Sequence, residues 1–424
     1  MNYNDKNNIE KNYQPVLKNT FYLYLAHFSD YAISIIMLPF IARILGPTEL
    51  GFVALAQTFG IFLLVIMEFG FSLTATREIS RLNSNNKLSF SYISEVFTFK
   101  LLLIPLIIIF SIILILLFPI FNSRPHYIIF ISIGSILQGL TPTWFFQGIE
   151  KIKIVAISKA IFRFLGFLII LIFIKNDHHG WIILFGYSMT SLFIFLYLFK
   201  EMYKIIGKVK FSSKKSIVKI WKSSKWIFLL TLIPIIFQNT SAFFLSSTLD
   251  PLKLGLYYGA FKIYRAFNTL YGPISDAIYP RLVSTKESSI KSSKILAKKT
   301  LIILFGLGIF FCVILFFFPV FFIRLLLGNE FIDGASTLKL FALVLPLTAV
   351  SNIFGRQWML INNDEKKYSL IILINSVLAI LYVIFNINAL GIHVVPISLI
   401  IFEFFTIIMI LLIKIKPLMK DDSK

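Results

Sequence analysis

Residues 101–118 read LLLIPLIIIFSIILILLF, and no side chain in this stretch carries a charge. An α-helix rises about 1.5 Å per residue, so this run approaches the length that crosses the ~30 Å hydrocarbon core of a bilayer. Lipid offers no water to backbone N–H and C=O groups, and a helix satisfies both internally. The run therefore predicts a membrane-spanning helix, which we place near residues 95–120.

Similar apolar runs recur along the chain. Of the 424 residues, 58% are hydrophobic and 14% are charged, which is more apolar surface than a soluble domain can bury. The ten-residue alternating segments of membrane β-barrels are absent from the sequence. We predict an all-α membrane protein of about 12 transmembrane helices. They are expected near residues 20–45, 50–76, 95–120, 127–149, 154–175, 180–203, 224–248, 254–280, 300–327, 334–361, 367–387 and 391–414.

The basic residues follow a topological pattern. The formal net charge is +21, and the lysines and arginines collect in alternate short loops, most densely from Lys200 to Lys225. This is the positive-inside distribution of membrane proteins, so we predict no nucleic-acid partner and place both termini in the cytoplasm. Residues 1–19 are polar and lack the apolar core of a cleavable signal peptide.

The two halves of the chain share short segments in the same order. Leu45–Gly51 (LGPTELG) is similar to Leu249–Gly255 (LDPLKLG), which lies 204 residues later. At the same offset, Arg77–Ser80 is similar to Arg281–Ser284. We predict two six-helix bundles around a central cavity, related by an axis along the membrane normal.

The repeat also predicts the domain limits. We expect an N-terminal bundle at 1–203, a basic cytoplasmic connector at 204–223 and a C-terminal bundle at 224–424. Two conformations stay open for the connector, an amphipathic helix on the anionic inner leaflet and an unstructured linker.

The sequence contains no Walker A motif, no dinucleotide-binding glycine pattern and no spaced set of metal ligands. ATP hydrolysis by this chain is therefore not expected, and we predict no cofactor, no metal site and no enzymatic activity. Its informative residues are the charges deep inside predicted spans, since such charges are costly in lipid and usually face a bundle interior or a wet cavity.

Cations recur on several predicted spans. Lys159 and Arg163 share one face of the fifth helix, Lys262 and Arg265 share one face of the eighth, and Arg356 lies in the tenth. We predict that these five residues form a cationic cavity for an anionic group such as a pyrophosphate. Structural ion pairs within the bundle are the alternative.

Acidic residues within the spans are candidates for coupling to H⁺ or Na⁺. His27 and Asp30 lie three apart on the first helix, and a buried carboxylate beside a histidine can bind either ion. The other candidates are Glu68, Asp276 and Glu403. Polar contacts that hold the helices together are the alternative.

Four further charged residues lie close to the ends of predicted spans. Their side chains are expected to extend to the interface and not to enter a cavity. These residues are Arg43, Glu95, Lys100 and Lys339.

Three segments carry a resemblance to a known family. They are Leu38–Gly46 (LPFIARILG), Glu68–Ser80 (EFGFSLTATREIS) and Trp144–Lys151 (WFFQGIEK). With them the chain resembles O-antigen and capsular polysaccharide flippases of the Wzx type, within the multidrug/oligosaccharidyl-lipid/polysaccharide exporter (MOP) superfamily, whose fold is that of the MATE transporters. The likeness in length and layout covers the whole chain, whereas the specific motifs lie in the first four predicted spans.

The resemblance implies a function and a location. The chain would move an undecaprenyl-pyrophosphate-linked oligosaccharide, of O-antigen or capsule type, from the cytoplasmic to the periplasmic leaflet of a bacterial inner membrane by alternating access. Its partners would be this lipid-linked substrate, membrane lipids, a polysaccharide polymerase and a chain-length regulator.

Three other functions are the alternatives. A small-molecule or drug antiporter of the same superfamily shares the fold, but the excess of deep cations disfavours a cationic substrate. A flippase for peptidoglycan precursors usually has two further helices. A membrane-embedded polysaccharide polymerase presents a large extracytoplasmic loop, whereas the predicted outer loops of this chain are short.

Overall fold

A computed structural model describes residues 3–84, 90–272, 289–362 and 364–418, together with residues 274, 275, 278, 282, 285 and 286. Within these ranges, side chains are described from Ile36 onward, except at 84, 119, 120, 230, 233–243, 246, 247, 356, 360, 365 and 413–418. This described part of the chain is almost wholly helical and contains no β-strand.

Helices α1 to α9 occupy the first part of the chain. They are α1 (Tyr3–Glu68), α2 (Phe71–Ser84), α3 (Phe90–Leu117), α4 (Pro119–Asn122), α5 (Pro125–Leu140), α6 (Thr143–Gly148), α7 (Ile152–Phe173), α8 (Gly180–Ile206) and α9 (Lys214–Thr248). Helix α1 is interrupted at Gly46, whose φ of 67° and ψ of 175° are not helical. The interruption lies between the first two predicted spans.

The remaining helices complete the described part. They are α10 (Pro251–Asn268), α11 (Ile290–Phe317), α12 (Pro319–Leu326), α13 (Ala335–Ser351), α14 (Trp358–Ile361), α15 (Glu365–Leu390) and α16 (Val394–Leu418). Asn352–Gln357 forms a π-helix between α13 and α14.

Eight stretches of the described residues are long and apolar enough to cross a membrane. Two of them, Ile36–Asn83 and Lys366–Leu412, are 48 and 47 residues long, and each overlaps two predicted spans. The prediction of an all-helical, multi-pass membrane protein is confirmed. The number of twelve helices stays a prediction.

Helix α3 shows how a membrane-spanning helix exposes one face and buries the other. Leu102, Leu106 and Ile109 are about half exposed and recur at helical spacing, as expected of a face turned to lipid. On the buried face, Ser111 Oγ lies 2.8 Å from Ser132 Oγ of α5. The buried face of α3 thus combines small polar side chains with apolar ones such as Ile107 and Leu114, while long apolar side chains cover the opposite face.

Close packing divides the chain into two compact units. Unit 1 comprises residues 1–45 and 52–238, and unit 2 comprises residues 46–51 and 239–424. The boundary between residues 238 and 239 lies within α9. The predicted bundles of residues 1–203 and 224–424 stay a prediction.

The predicted connector is ordered. Helix α8 ends at Ile206, and Gly207 adopts a φ of 75°. The backbone N–H of Lys210 then donates to Ser94 Oγ at 3.0 Å, and that of Ser212 donates to Thr98 Oγ1 at 3.1 Å. These two hydroxyls are one turn apart on α3, so the segment 207–213 lies along that helix. Neither an amphipathic helix nor an unstructured linker therefore describes the whole of the predicted connector, residues 204–223.

In unit 2 the two copies of the sequence repeat contact each other reciprocally. A Cβ added to Gly255 would lie 1.6 Å from the carbonyl oxygen of Pro47, and one added to Gly51 would lie 2.3 Å from that of Pro251. Each glycine thus receives the backbone of the other repeat at a distance that excludes any side chain. We call the segments 46–51 and 250–255 together the glycine clasp.

Candidate functional site

Unit 1 contains a cavity of about 660 Å³ whose wall includes charged and amide side chains. Helices α1, α5, α6, α7 and α8 contribute to it. Its polar side chains include Gln57, Glu68, Gln138, Lys159, Arg163 and Tyr187. A cavity within a helix bundle that carries several convergent polar groups is the usual form of a ligand site.

The two cations of the cavity come from one face of α7. Lys159 and Arg163 are one turn apart, and both are half-buried. Below them, a Cβ on Gly166 would lie 2.3 Å from Thr190 Oγ1 of α8. The glycine lets α7 and α8 approach closely, which fixes the direction in which both cations point. Their i, i+4 spacing predicted a shared face, and the structure shows that this face lines the cavity.

Tyr187 and Gln138 form a second polar group of the cavity wall. The Tyr187 hydroxyl donates to Gln138 Oε1 at 2.7 Å. The ring of Tyr187 lies against Gly134 of α5, where a Cβ would come within 2.4 Å of two ring carbons. Since the carbonyl oxygen of Gln138 is engaged, its amide hydrogens remain for a ligand oxygen.

A strained turn positions Glu68 at the cavity wall. Glu68 ends α1 and is followed by Phe69 and Gly70, whose φ values are 46° and 75°. A Cβ on Gly70 would lie 2.9 Å from the backbone nitrogen of Phe228, so only glycine fits there. The Phe69 ring stacks on Phe228, with centroids 4.4 Å apart, and lies 4.8 Å from Phe99. This aromatic packing offsets the free-energy cost of the left-handed backbone conformation at Phe69.

Charge in the cavity is unequal among the described lining residues. They include two cations, Lys159 and Arg163, and one carboxylate, Glu68. The described wall therefore carries an excess of positive charge, which suits an anionic ligand.

The prediction for Lys100 is wrong. Its side chain was expected to extend to the membrane interface, but it is 2% exposed. Its Nζ donates to the carbonyl oxygen of Gly139 and lies 5.6 Å from the centroid of the Phe71 ring. Helix α3 begins at Phe90, so Lys100 lies ten residues from its start, where α5 and α2 cover it. Of the other three residues, Arg43 and Lys339 are exposed and Glu95 is half-buried.

The predicted cations of α10 do not line this cavity. Lys262 is half-buried and Arg265 is exposed, with its guanidinium carbon 5.9 Å from the centroid of the Phe261 ring. Beside them, Tyr264 stacks on Phe341 with centroids 5.0 Å apart. The role of both cations in binding stays a prediction.

Glu403 lies in unit 2 on α16. Its Oε1 accepts a hydrogen bond from Thr348 Oγ1 at 3.1 Å, while Oε2 is buried without a partner among the described residues. A buried carboxylate oxygen without a donor is costly unless it carries a proton or meets a cation. The geometry is compatible with the predicted ion coupling, which stays a prediction.

Four predicted site residues cannot be placed by their side chains. The backbones of His27 and Asp30 lie in α1 and that of Arg356 lies in the π-helix, but their side chains are outside the described residues. Asp276 lies outside the described residues altogether. In the part of the chain that is described, no group of three or more His, Cys, Asp or Glu side chains could hold a metal ion.

Sequence reasoning missed Gln57, Gln138, Tyr187 and the buried position of Lys100. Gln57, Gln138 and Tyr187 could have been found as uncharged polar residues inside predicted spans, because such residues are also rare in lipid. Lys100 gave no such signal, since its depth depends on which helices cover it.

Comparison with known proteins agrees with this architecture. Residues 16–286 match the model of the family described as "Polysaccharide biosynthesis protein". A protein of Escherichia coli (strain K12) named "Putative O-antigen transporter" is 27% identical over 373 residues, which cover 86% of this chain and 88% of that protein. A protein of the same name from Shigella dysenteriae is 28% identical over 370 residues, covering 86% and 91%.

Solved structures share the fold. An inward-facing multidrug resistance MATE family transporter of the MOP superfamily superimposes with a TM-score of 0.63 at 15% identity, covering 94% of this chain and 96% of that one. An outward-facing transporter of the same description gives a TM-score of 0.51 at 16% identity, covering 96% and 97%. The predicted resemblance is confirmed. The chain belongs to the polysaccharide biosynthesis protein family and is a membrane transporter with the MOP-superfamily fold.

Proposed function

We propose that this transporter flips an undecaprenyl-pyrophosphate-linked oligosaccharide from the cytoplasmic to the periplasmic leaflet. The observation that carries the proposal is the cavity of unit 1, where Lys159 and Arg163 line the wall together with Tyr187 and Gln138. Two cations one helical turn apart match the two phosphates of a pyrophosphate, and the guanidinium group can bind two oxygens at once.

The size of the cavity suits a headgroup. Its volume of about 660 Å³ lies within the roughly 300–1,000 Å³ of small-molecule sites. That is room for the pyrophosphate and the first sugar, while the lipid tail would remain in the bilayer. The Gln138 amide and the neighbouring Thr190 and Ser191 hydroxyls supply donors and acceptors for sugar hydroxyls.

Alternating access is the transport mode that we propose. Solved proteins with this fold include one described as inward-facing and one described as outward-facing. An outward step of a polyanionic headgroup is electrically downhill, by about 2.3 kcal/mol per charge per 100 mV when the inside is negative. An H⁺ or Na⁺ gradient would then serve to reset the empty carrier, and Asp30 and Glu403 are our candidate coupling sites.

Drug export is the second candidate, because solved relatives in fold are multidrug transporters. The described wall of the cavity disfavours it, since an excess of positive charge repels the cationic compounds that such an antiporter would bind. Flipping of labelled lipid-linked oligosaccharide by the purified protein in vesicles tests the choice between the two. Failure of that lipid to move would contradict the proposal.

We also propose a bacterial inner-membrane location with both termini in the cytoplasm, since the basic loops alternate along the chain. A polysaccharide polymerase and a chain-length regulator are the proposed partners. Asn176, between α7 and α8, and Ser213, before α9, are exposed residues that should lie on opposite sides of the membrane.

Single cysteines at these two positions test the orientation in a Cys312→Ser background, because Cys312 is the one cysteine of the chain. In intact cells an impermeant thiol reagent should label position 176 and not position 213. After permeabilisation both should react, which controls for reactivity. Labelling of 213 alone in intact cells would reverse the orientation.

A further inference from the structure

A dense run of lysines leads into the predicted span of α9. The chain carries eight lysines and no Asp or Glu between Glu201 and Asp250. Charge of one sign at this density attracts ions and surfaces of the opposite sign. Four of the lysines are exposed at the start of α9, namely Lys214, Lys215, Lys219 and Lys222. The start of α9 is therefore a candidate binding surface for an anionic partner.

Acidic groups on two neighbouring helices already have partners. Glu78 Oε1 of α2 lies 2.6 Å from Arg81 Nη2, and Glu201 Oε1 of α8 lies 2.7 Å from Lys204 Nζ. Each ion pair joins residues three apart in one helix. Among the described residues, the four exposed lysines of α9 form no ion pair within 4 Å. Their charge is available to a partner outside the chain.

Three large aromatic side chains are exposed among these lysines. Phe211 is 85% exposed, Trp226 is 65% exposed and Trp221 is 44% exposed. Lys225 Nζ lies 4.9 Å from the centroid of the Trp221 ring and 5.2 Å from that of Trp226, so cation–π contacts hold both rings beside one ammonium group. Exposed apolar rings that are grouped together with charge mark an interaction surface.

The opposite face of the same turns is already packed within unit 1. Ile220 is 2% exposed and belongs to an apolar cluster that includes Ile79 of α2 and Leu198 of α8. One turn later, Ser224 Oγ lies 3.0 Å from Thr74 Oγ1 of α2. These contacts fix which face of the helix is exposed. We call the exposed face of residues 211–226 the lysine–aromatic surface.

The length of α9 places this surface next to the bilayer. The helix has 35 residues and extends about 50 Å at 1.5 Å per residue, whereas the hydrocarbon core is ~30 Å thick. Its predicted span is residues 224–248, so the lysine–aromatic surface lies where α9 leaves the core. Tryptophan rings prefer this boundary, and clustered lysines beside a span attract anionic lipids.

We propose that the lysine–aromatic surface binds the headgroups of anionic phospholipids. The lysine ammonium groups contact lipid phosphates, and the rings of Phe211, Trp221 and Trp226 enter the boundary between headgroups and acyl chains. An acidic soluble protein would meet the same charge, but tryptophans at the end of a span favour lipid. The inference goes beyond the proposed function and is independent of the transported substrate.

Fluorescence quenching by brominated lipids tests this proposal. Ser223 is exposed beside the lysine–aromatic surface, and Ser223→Cys in the Cys312→Ser background can carry a fluorophore there. The protein is placed in nanodiscs of phosphatidylcholine with a minor fraction of phosphatidylglycerol, and the acyl chains of one lipid or the other carry bromine. Quenching per brominated lipid should be about fivefold or more stronger for phosphatidylglycerol, because anionic lipids gather at clustered lysines.

Two sets of lysine variants are matched to each other. Replacement of Lys214, Lys215, Lys219 and Lys222 by Gln should make the two lipids quench about equally, since the attracting charges are gone. Replacement of four exposed lysines of α11 by Gln should leave the preference in place, because they belong to unit 2; these are Lys291, Lys294, Lys298 and Lys299. Should the first set fail to fold, high salt on the labelled parent protein replaces it and should weaken the preference.

Three results would overturn the proposal. Absence of quenching by either lipid would show that the surface does not reach the bilayer and binds another partner. Equal quenching by both lipids in the labelled parent protein would show contact with lipid without a preference for negative charge. A preference that persists in the first set of variants would assign it to other residues. Each result is the same whether or not the protein flips lipid-linked oligosaccharide.

Discussion

Arg163→Glu should abolish surface polysaccharide in a bacterium whose own flippase has been replaced by this protein. The variant adds a second carboxylate to the cavity that Glu68 lines and removes a cation that the substrate would need. Reversing a partly buried charge that binds an anion costs about 2–5 kcal/mol, and each 1.4 kcal/mol is tenfold. We therefore expect at least a ~20-fold loss of surface glycan, measured by silver-stained gels or antibody binding.

The matched controls are Arg163→Lys and the charge reversal Lys366→Glu. Lysine keeps the charge but loses the planar fork of the guanidinium, so part of the glycan should remain. Lys366→Glu reverses an exposed lysine at the start of α15 and should leave display unchanged. All variants must reach the membrane in equal amounts. Full display by Arg163→Glu would remove this arginine from the binding site.

Gly255→Ala should severely destabilise the protein although it adds a single methyl group. The new Cβ would lie 1.6 Å from the carbonyl oxygen of Pro47, so the backbone of the glycine clasp has to move apart. Overpacking of this kind costs about 3 kcal/mol or more when no flexible side chain can give way. We expect little folded protein after purification and a much lower thermal midpoint in detergent.

Gly306→Ala is the control for the glycine clasp. Gly306 lies within α11, and a Cβ at this position would meet no atom within 4 Å. Alanine favours a helix over glycine by about 0.5–1 kcal/mol, so this variant should be as stable as wild type or slightly more stable. Equal thermal midpoints for Gly255→Ala and Gly306→Ala would show that the clasp is not closely packed.

The spans could be predicted because they depend on local sequence. A run such as residues 101–118 can satisfy its backbone in lipid only as a helix, whatever surrounds it. The shared face of Lys159 and Arg163 is likewise a property of one helix, since i, i+4 residues point the same way. Both predictions needed no knowledge of which helices are neighbours.

The remaining features depend on contacts between distant segments. The repeat of LGPTELG as LDPLKLG was visible in the sequence, but no pattern indicated that the two copies contact each other through Gly51 and Gly255. The distance of Lys100 from the predicted span end suggested an interface position, whereas the end of α5 buries it. The position of Glu68 at the cavity wall depends on the turn at Phe69 and Gly70, where aromatic packing selects an uncommon backbone.

The most direct test measures lipid flipping by the purified wild-type protein in vesicles. Undecaprenyl-pyrophosphate-linked oligosaccharide with a fluorescent sugar is placed in both leaflets, and an impermeant reductant bleaches the outer one. The account predicts that nearly all fluorescence becomes accessible within minutes in wild-type vesicles, while about half stays protected without protein or with Arg163→Glu. Protection of half the signal in wild-type vesicles, together with uptake of a cationic dye by the same vesicles, would contradict it.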